Sequence, residues 1–193
     1  MKKILIFLSI LLFIKNSDIN LEQIRADILS NHNEHRKAHQ VEPLTRDSEI
    51  EKVAQAYSEY LASISQMVHS NNELYGENLY YCYNSAKICV TGDEASESWY
   101  EEISMYDYNN PEFSLETGHF TQLVWKGSKK IGCGAACNLD NKCYVTWNYS
   151  PPGNYRDEFA ENVLKLTEDE DDNGMYLNTK KILYIISLLI LIF

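Results

Sequence analysis

The chain has 193 residues, with 17 basic against 28 acidic side chains and a formal net charge of −11. That balance argues against nucleic acid as a partner, because phosphates are bound by a basic face. Without its two apolar ends it leaves about 155 residues, enough for one well-buried domain and too few for two.

Lys2-Lys3 followed by the apolar run Ile4 to Ile14 has the charged start and hydrophobic centre of a secretory signal. As a helix that run is about 16 Å long, against roughly 30 Å of hydrocarbon, so it is too short to span a bilayer. Residues 1–17 are therefore expected to be a leader, cleaved near Asn16 to Asp18, and 18–166 the folded domain.

Leu21, Ile24, Ile28 and Leu29 fall at helical spacing, which predicts an amphipathic helix over 20–38. His32, His35 and His39 read as surface or capping residues. Asp47 suits an N-cap, and Ile50, Val53, Ala54, Tyr57, Leu61 and Ile64 trace the inward face of a second helix. Leu79 to Tyr83 reads as a strand. A third helix is expected over Asp93 to Tyr106, with Ala95, Trp99, Ile103 and Tyr106 on related faces. An aromatic-rich loop, Tyr106 to Phe113, follows.

Phe120, Leu123, Val124 and Trp125 suit one turn of a buried helix, interrupted at Gly127. Ile131 to Ala136 and Lys142 to Tyr149 are strand-like runs joined by the turn formers Asn138 to Asn141. Pro151-Pro152-Gly153 ends the second run, since proline has no N–H to give a ladder.

Beyond the domain, residues 167–181 read as an acidic stalk and spacer, and 182–193 as an apolar tail. The run Glu168 to Asp172 lacks the turn glycine and spaced ligands of a calcium loop. Asp172-Asn173-Gly174, the spacer and the tail together fit a glycosylphosphatidylinositol attachment signal. The alternative is a short membrane anchor with Lys180 and Lys181 snorkelling.

Five cysteines in an exported chain imply disulfides with one cysteine left over. Cys82 and Cys89 flank a short loop, as do Cys137 and Cys143, which leaves Cys133 odd. Pairing of Cys82 with Cys133 stays open. With no CxxC pair in the sequence, a zinc site made of cysteines is disfavoured.

Two stretches carry a family resemblance. Gly118-His119-Phe120-Thr121-Gln122-Leu123-Val124-Trp125 and Tyr144-Val145-Thr146-Trp147-Asn148-Tyr149-Ser150-Pro151-Pro152-Gly153-Asn154-Tyr155 closely resemble the two signature motifs of the CAP superfamily. That superfamily holds cysteine-rich secretory proteins, antigen 5 and plant pathogenesis-related proteins. The second motif departs at Trp147, where many members have a cysteine. Upstream, His32-Asn33-Glu34-His35-Arg36 resembles the family's HNxxR. His69-Ser70, Gly76-Glu77-Asn78 and Trp99-Tyr100-Glu101-Glu102 resemble its HS, GEN and WYxE elements.

The resemblance implies an α+β fold, a three-layer α-β-α sandwich around a small, mainly antiparallel sheet. It also implies a cleft lined by His69, Glu77, Glu102 and His119, with Glu97 the rival of Glu102. His69 and His119 can ligate a divalent ion such as zinc there, with no cofactor required. The loop after the third helix resembles the segment that sterol-binding members use, including the fungal sterol-export proteins. Tyr106, Tyr108, Pro111 and Phe113 are the lipid contacts it implies.

The implied function is a secreted or cell-surface, non-catalytic protein that binds a sterol or fatty acid and is held to the membrane by its tail or a lipid anchor. Two other classes stay open. One is a metal-dependent hydrolase or protease with Glu77 or Glu102 as base, although the chain has neither GxSxG nor HExxH. The other is an extracellular protein-interaction module. The sequon Asn148-Tyr149-Ser150 lies within the second motif, ahead of Pro151, and is expected to carry no sugar.

Overall fold

The computed structural model describes residues 19–86, 89–90 and 92–167. The expected leader at 1–17, the acidic run after Thr167 and the apolar tail 182–193 lie outside these residues. In chain order the elements are α1 (Leu21–Ala38), β1 (Thr45–Arg46), α2 (Ser48–Ile64), β2 (Gly76–Tyr83), α3 (Gly92–Tyr100), a 3-10 turn (Glu101–Met105), α4 (Gly118–Leu123), β3 (Lys130–Cys137), β4 (Lys142–Ser150) and α5 (Phe159–Asn162). Among the described residues, no helix is long and apolar enough to cross a membrane.

Local chemistry sets the helix starts. Asn20 accepts a hydrogen bond from the Gln23 N–H, and Asp47 accepts from the N–H groups of Glu49 and Ile50. Each satisfies donors that the first turn leaves without a partner. Acidic Glu22 at the start of α1 and basic Arg36 and Lys37 at its end also match the helix dipole. α2 stops at Ser65, which adopts a left-handed conformation with φ 54°.

The sheet has the order β1-β3-β4-β2, antiparallel apart from the two-residue parallel pairing of β1 with β3. Successive strand residues face opposite sides. Ile131, Cys133, Ala135, Val145, Trp147 and Tyr149 join the larger core with Ile24, Ile28, Trp99 and Phe120. Ala136, Tyr144 and Leu79 instead meet Leu61 and Ala62 of α2. The sheet thus has α2 on one face and α1, α3 and α4 on the other, a three-layer α-β-α sandwich.

Glycine allows the α2 layer to lie so close. A methyl at Gly132 would overlap backbone atoms of Ile50 and Glu51, and one at Gly134 would overlap those of Ala54 and Gln55. Ser58 uses the approach, its hydroxyl donating to the Gly134 carbonyl and meeting Thr146 Oγ1 at 3.0 Å.

Four expectations need correction. Val53 was expected inside, but it is 37% exposed, because the stripe of α2 that faces the sheet runs through Ile50, Ala54, Ser58 and Leu61 and position 53 falls beside it. The third helix does not run on to Tyr106 in α form; it tightens at Glu101, and Tyr106 is already extended. His32 and His39 are not surface residues, since both are fully buried. Their partners explain why: His32 lies between Ser96 Oγ at 2.9 Å and Tyr149 Oη at 2.8 Å, and His39 between the Leu164 carbonyl and Tyr100 Oη. His35 is the one nearer the surface, stacked on Tyr100 at 3.7 Å. Glu97, the rival for the cleft, lies against His35 instead, 3.3 Å from its Nε2.

The disulfides are Cys82–Cys89 and Cys137–Cys143, with Cys133 free and buried. Burial drives the Cys133 thiol pKa far above its ordinary value, so it is inert. Asn148 is 3% exposed within β4, which agrees with an unused sequon.

Candidate functional site

The histidines and glutamates singled out above meet as two pairs beside the edge strand β2. Glu77, on that strand, accepts from the Ser70 N–H at 2.9 Å and lies 2.8 Å from His69 Nδ1. The approach to His69 is fixed from α2, where the Tyr57 hydroxyl donates to the Val68 carbonyl. Burial opposes ionisation of Glu77, but the hydrogen bonds from His69 and Ser70 outweigh it and hold the carboxyl below its usual range. The same bond raises His69 above the ordinary histidine value.

Glu102 comes from the 3-10 turn. Its Oε2 accepts from the backbone N–H groups of His119 and Phe120, both at 3.0 Å, and its Oε1 lies 2.6 Å from His119 Nδ1. The carboxylate therefore caps the start of α4 and orients the imidazole at once. Trp99 stacks on the other side of that ring, with centroids 5.8 Å apart.

Asn78 links the two pairs. One residue beyond Glu77, its amide donates to the His119 carbonyl at 3.1 Å and to Tyr149 Oη at 3.2 Å. An amide nitrogen can only donate, so the Tyr149 hydroxyl proton goes to His32 Nε2, and the His32 proton sits on Nδ1 facing Ser96. Burial keeps that imidazole neutral, its pKa lowered to about 3. α1, α3, β4, β2 and α4 are thereby tied through one buried polar chain.

The loop between Leu123 and Ser128 is held by Arg36, fully buried on α1. Its guanidinium donates to the carbonyls of Glu42, Leu123, Trp125 and Ser128 at 2.9–3.0 Å. Gln122 accepts from the Gly153 N–H, and Asn154 bonds both Gly118 and Thr121. The two signature stretches are thus fastened to each other around the site.

For a metal, the donor types are apt. Each imidazole has Nδ1 on a carboxylate, which leaves Nε2 as ligand atom, and both rings reach the surface. The number of donors is small. Among the described residues, the group of three or more His, Cys, Asp or Glu donors lying within 4.8 Å of one another is Cys82, Cys89 and Cys143, and it includes none of this cleft.

The four expected lipid contacts divide. Tyr106 is buried, its ring edge-on to Tyr108 at 4.8 Å and 5.7 Å from Phe120. Tyr108 is half-buried beneath Lys165 Nζ. Both tyrosine hydroxyls are buried without a hydrogen-bond partner. Phe113 remains 51% exposed, with its ring edge against Gly118, and Pro111 is partly exposed. Leu115, which the sequence reading passed over, is 86% exposed on the same loop. Asn78 was also missed as a tie, although it stands in the quoted Gly-Glu-Asn.

The profile described as "CAP: Cysteine-rich secretory protein family" matches residues 29–149. The chain is 40% identical over 148 residues to human Golgi-associated plant pathogenesis-related protein 1, covering 74% of this chain and 94% of that one. It is 38% identical to Protein PRY2 of Saccharomyces cerevisiae over 72% of this chain, although that match spans 40% of PRY2. Pathogenesis-related protein 1A of Nicotiana tabacum is 40% identical over 68% of this chain and 77% of its own length. Among solved structures, BmVAL-1 superposes with a TM-score of 0.62 at 26% identity, over 76% of this chain and 84% of that one. NaASP2, solved with Zn2+, gives 0.60 at 24% identity, over 76% and 87%.

Proposed function

Because the chain belongs to the cysteine-rich secretory protein (CAP) family, we propose that it is an exported, surface-held and non-catalytic binding protein whose ligand is a sterol or related lipid. The observation that carries this reading is the composition of one loop. Between Tyr106 and Thr117 it presents exposed Phe113 and Leu115 beside Pro111, and it holds two buried tyrosine hydroxyls that have no partner. A flat apolar body with one hydroxyl has the matching chemistry. Apolar surface removed from water contributes about 25 cal/mol per Å², and an unpartnered buried hydroxyl gains from any donor or acceptor that reaches it.

The hydrolase reading is the weaker one. A general base needs a free carboxylate within reach of its water, whereas Glu77 already holds His69 and Ser70, and Glu102 holds the His119 ring and two N–H groups. A divalent ion is not needed for lipid binding; where one binds, His69 and His119 would hold it and it would supply Lewis acidity. Equilibrium binding of labelled cholesterol and fatty acid to the full chain, with and without zinc, tests the proposal. Absence of lipid binding under both conditions favours the protein-interaction class instead.

A further inference from the structure

At the far end of the sheet from the His–Glu pairs, cysteines line up across three strands. Cys82 on β2 is the register partner of Cys143 on β4, which is in turn the register partner of Cys137 on β3. Cys89 returns from the loop after β2 to bond Cys82. The sulfurs of Cys82, Cys89 and Cys143 all lie within 4.8 Å of one another, and Cys137 is bonded to Cys143. Two disulfides therefore sit side by side, with four sulfurs in one small volume.

From this geometry we infer that the four cysteines form a thiolate metal site when the two disulfides are reduced, with Zn2+ as the ion. A tetrahedral zinc with Zn–S bonds of about 2.3 Å separates its sulfurs by roughly 3.8 Å. Reduction lets each bonded pair open by about 1.8 Å, and the Cys143 sulfur needs to approach those of Cys82 and Cys89 by no more than about 1 Å. Soft thiolates select zinc over the hard cations. The sequence gives no sign of such a site, because it lacks the CxxC spacing; strand register brings the residues together instead.

The reduced chain keeps its fold by this account. Each disulfide closes a short loop, with sequence separations of 7 and 6, where cross-linking constrains the unfolded chain least. Cys137 and Cys143 belong to the larger core and Cys82 and Cys89 pack against it, so the packing that holds the thiols in place does not need the cross-links. The Arg36 network involves none of the four. Cys82 and Cys89 are partly exposed, which admits both a reductant and an ion, whereas Cys137 and Cys143 are buried, so their bond is reached by exchange from the neighbouring Cys82 and Cys89 thiols.

The reductant is a dithiol, small or protein-borne. Each disulfide takes two electrons and two protons from one dithiol, giving two cysteine thiols and one oxidised dithiol, through a mixed disulfide. Zinc then displaces the four thiol protons as it binds four thiolates.

The test titrates the full chain with Cd2+, a spectroscopic stand-in for Zn2+, before and after dithiol reduction and removal of excess reductant. The reduced chain is expected to take up one ion with a thiolate-to-cadmium charge-transfer band in the ultraviolet, and the oxidised chain to show no band. Zn2+ added first should give no such band, and Cd2+ added afterwards should bring it up as the softer ion displaces zinc from the thiolates. Cys143→Ser should abolish the band at one equivalent, while Cys133→Ser and the double variant His69→Ala/His119→Ala retain it. Near-ultraviolet circular dichroism follows the fold. A folded, reduced chain without the band would overturn the inference, and so would a band that survives Cys143→Ser. Loss of the near-ultraviolet signal on reduction would overturn it as well, since the site would then not be preformed.

Discussion

Glu102 grips His119 at both side chain and backbone, with Oε1 at 2.6 Å from Nδ1 and Oε2 at 3.0 Å from the main-chain nitrogen. The carboxylate is largely buried, at 16% side-chain exposure. Hydrogen bonds to a charged group each contribute about 1.5–3 kcal/mol. Glu102→Ala is expected to lower unfolding free energy by at least about 2 kcal/mol in denaturant titration, and to free the His119 ring. A change within experimental error would mean that α4 is anchored by other contacts.

Arg36 makes a sharper prediction. Four carbonyls share its planar fork, and lysine cannot reproduce that geometry with a single ammonium. Burial lowers its pKa to about 10, so it stays charged at neutral pH. Arg36→Lys should cost about 3 kcal/mol or more in denaturant unfolding. A cost below about 1 kcal/mol would show that water replaces the lost donors.

Acid should weaken the fold through its buried imidazoles. Burial depresses His32 from 6.5 to about 3 and lowers His39 as well. The unfolded chain therefore binds protons below pH 6.5 that the native chain refuses, and stability falls as pH drops through that window. Between pH 7 and 5, His32 alone should cost about 2 kcal/mol, with His39 adding to it. His69 works in the opposite sense. Its raised pKa gives stability present below 6.5 and lost as pH rises through the folded value, but the ring is well exposed and the effect is screened. The lowered pKa of Glu77 matters only in stronger acid, below about 4.5. Unfolding free energy that stays flat from pH 7 to 5 would contradict neutral His32 and His39.

These histidines also mark where the sequence stops being legible. β3, β4 and the Asn138 turn could be read because strand patterning and turn chemistry are local. α1 and the Asp47 cap were legible for the same reason. His32 and His39 were not, since their partners Tyr149, Ser96, Tyr100 and Leu164 lie 61 to 125 residues away. The Val53 misreading has a different source: an apolar residue at the margin of a helical stripe cannot be told from one at its centre by periodicity, and the buried stripe runs through Ile50, Ala54, Ser58 and Leu61 beside it. In the cleft, His69 and Glu77 are 8 residues apart and His119 and Glu102 are 17 apart. Spacing alone would not have paired them; the motif resemblance did. The lipid loop was recognised as aromatic, but which rings face inward depends on Phe120 and on the chain around Lys165, which periodicity does not report.

The proposed function rests on the exposed part of that loop, so the most direct measurement is equilibrium binding of labelled cholesterol to the full chain and to the double variant Phe113→Ser/Leu115→Ser. Saturable binding is expected, unchanged by a metal chelator and weakened at least about tenfold by the two substitutions, with unfolding unaffected. Binding that ignores both substitutions but disappears with the chelator would contradict the account, as would no saturable binding at all.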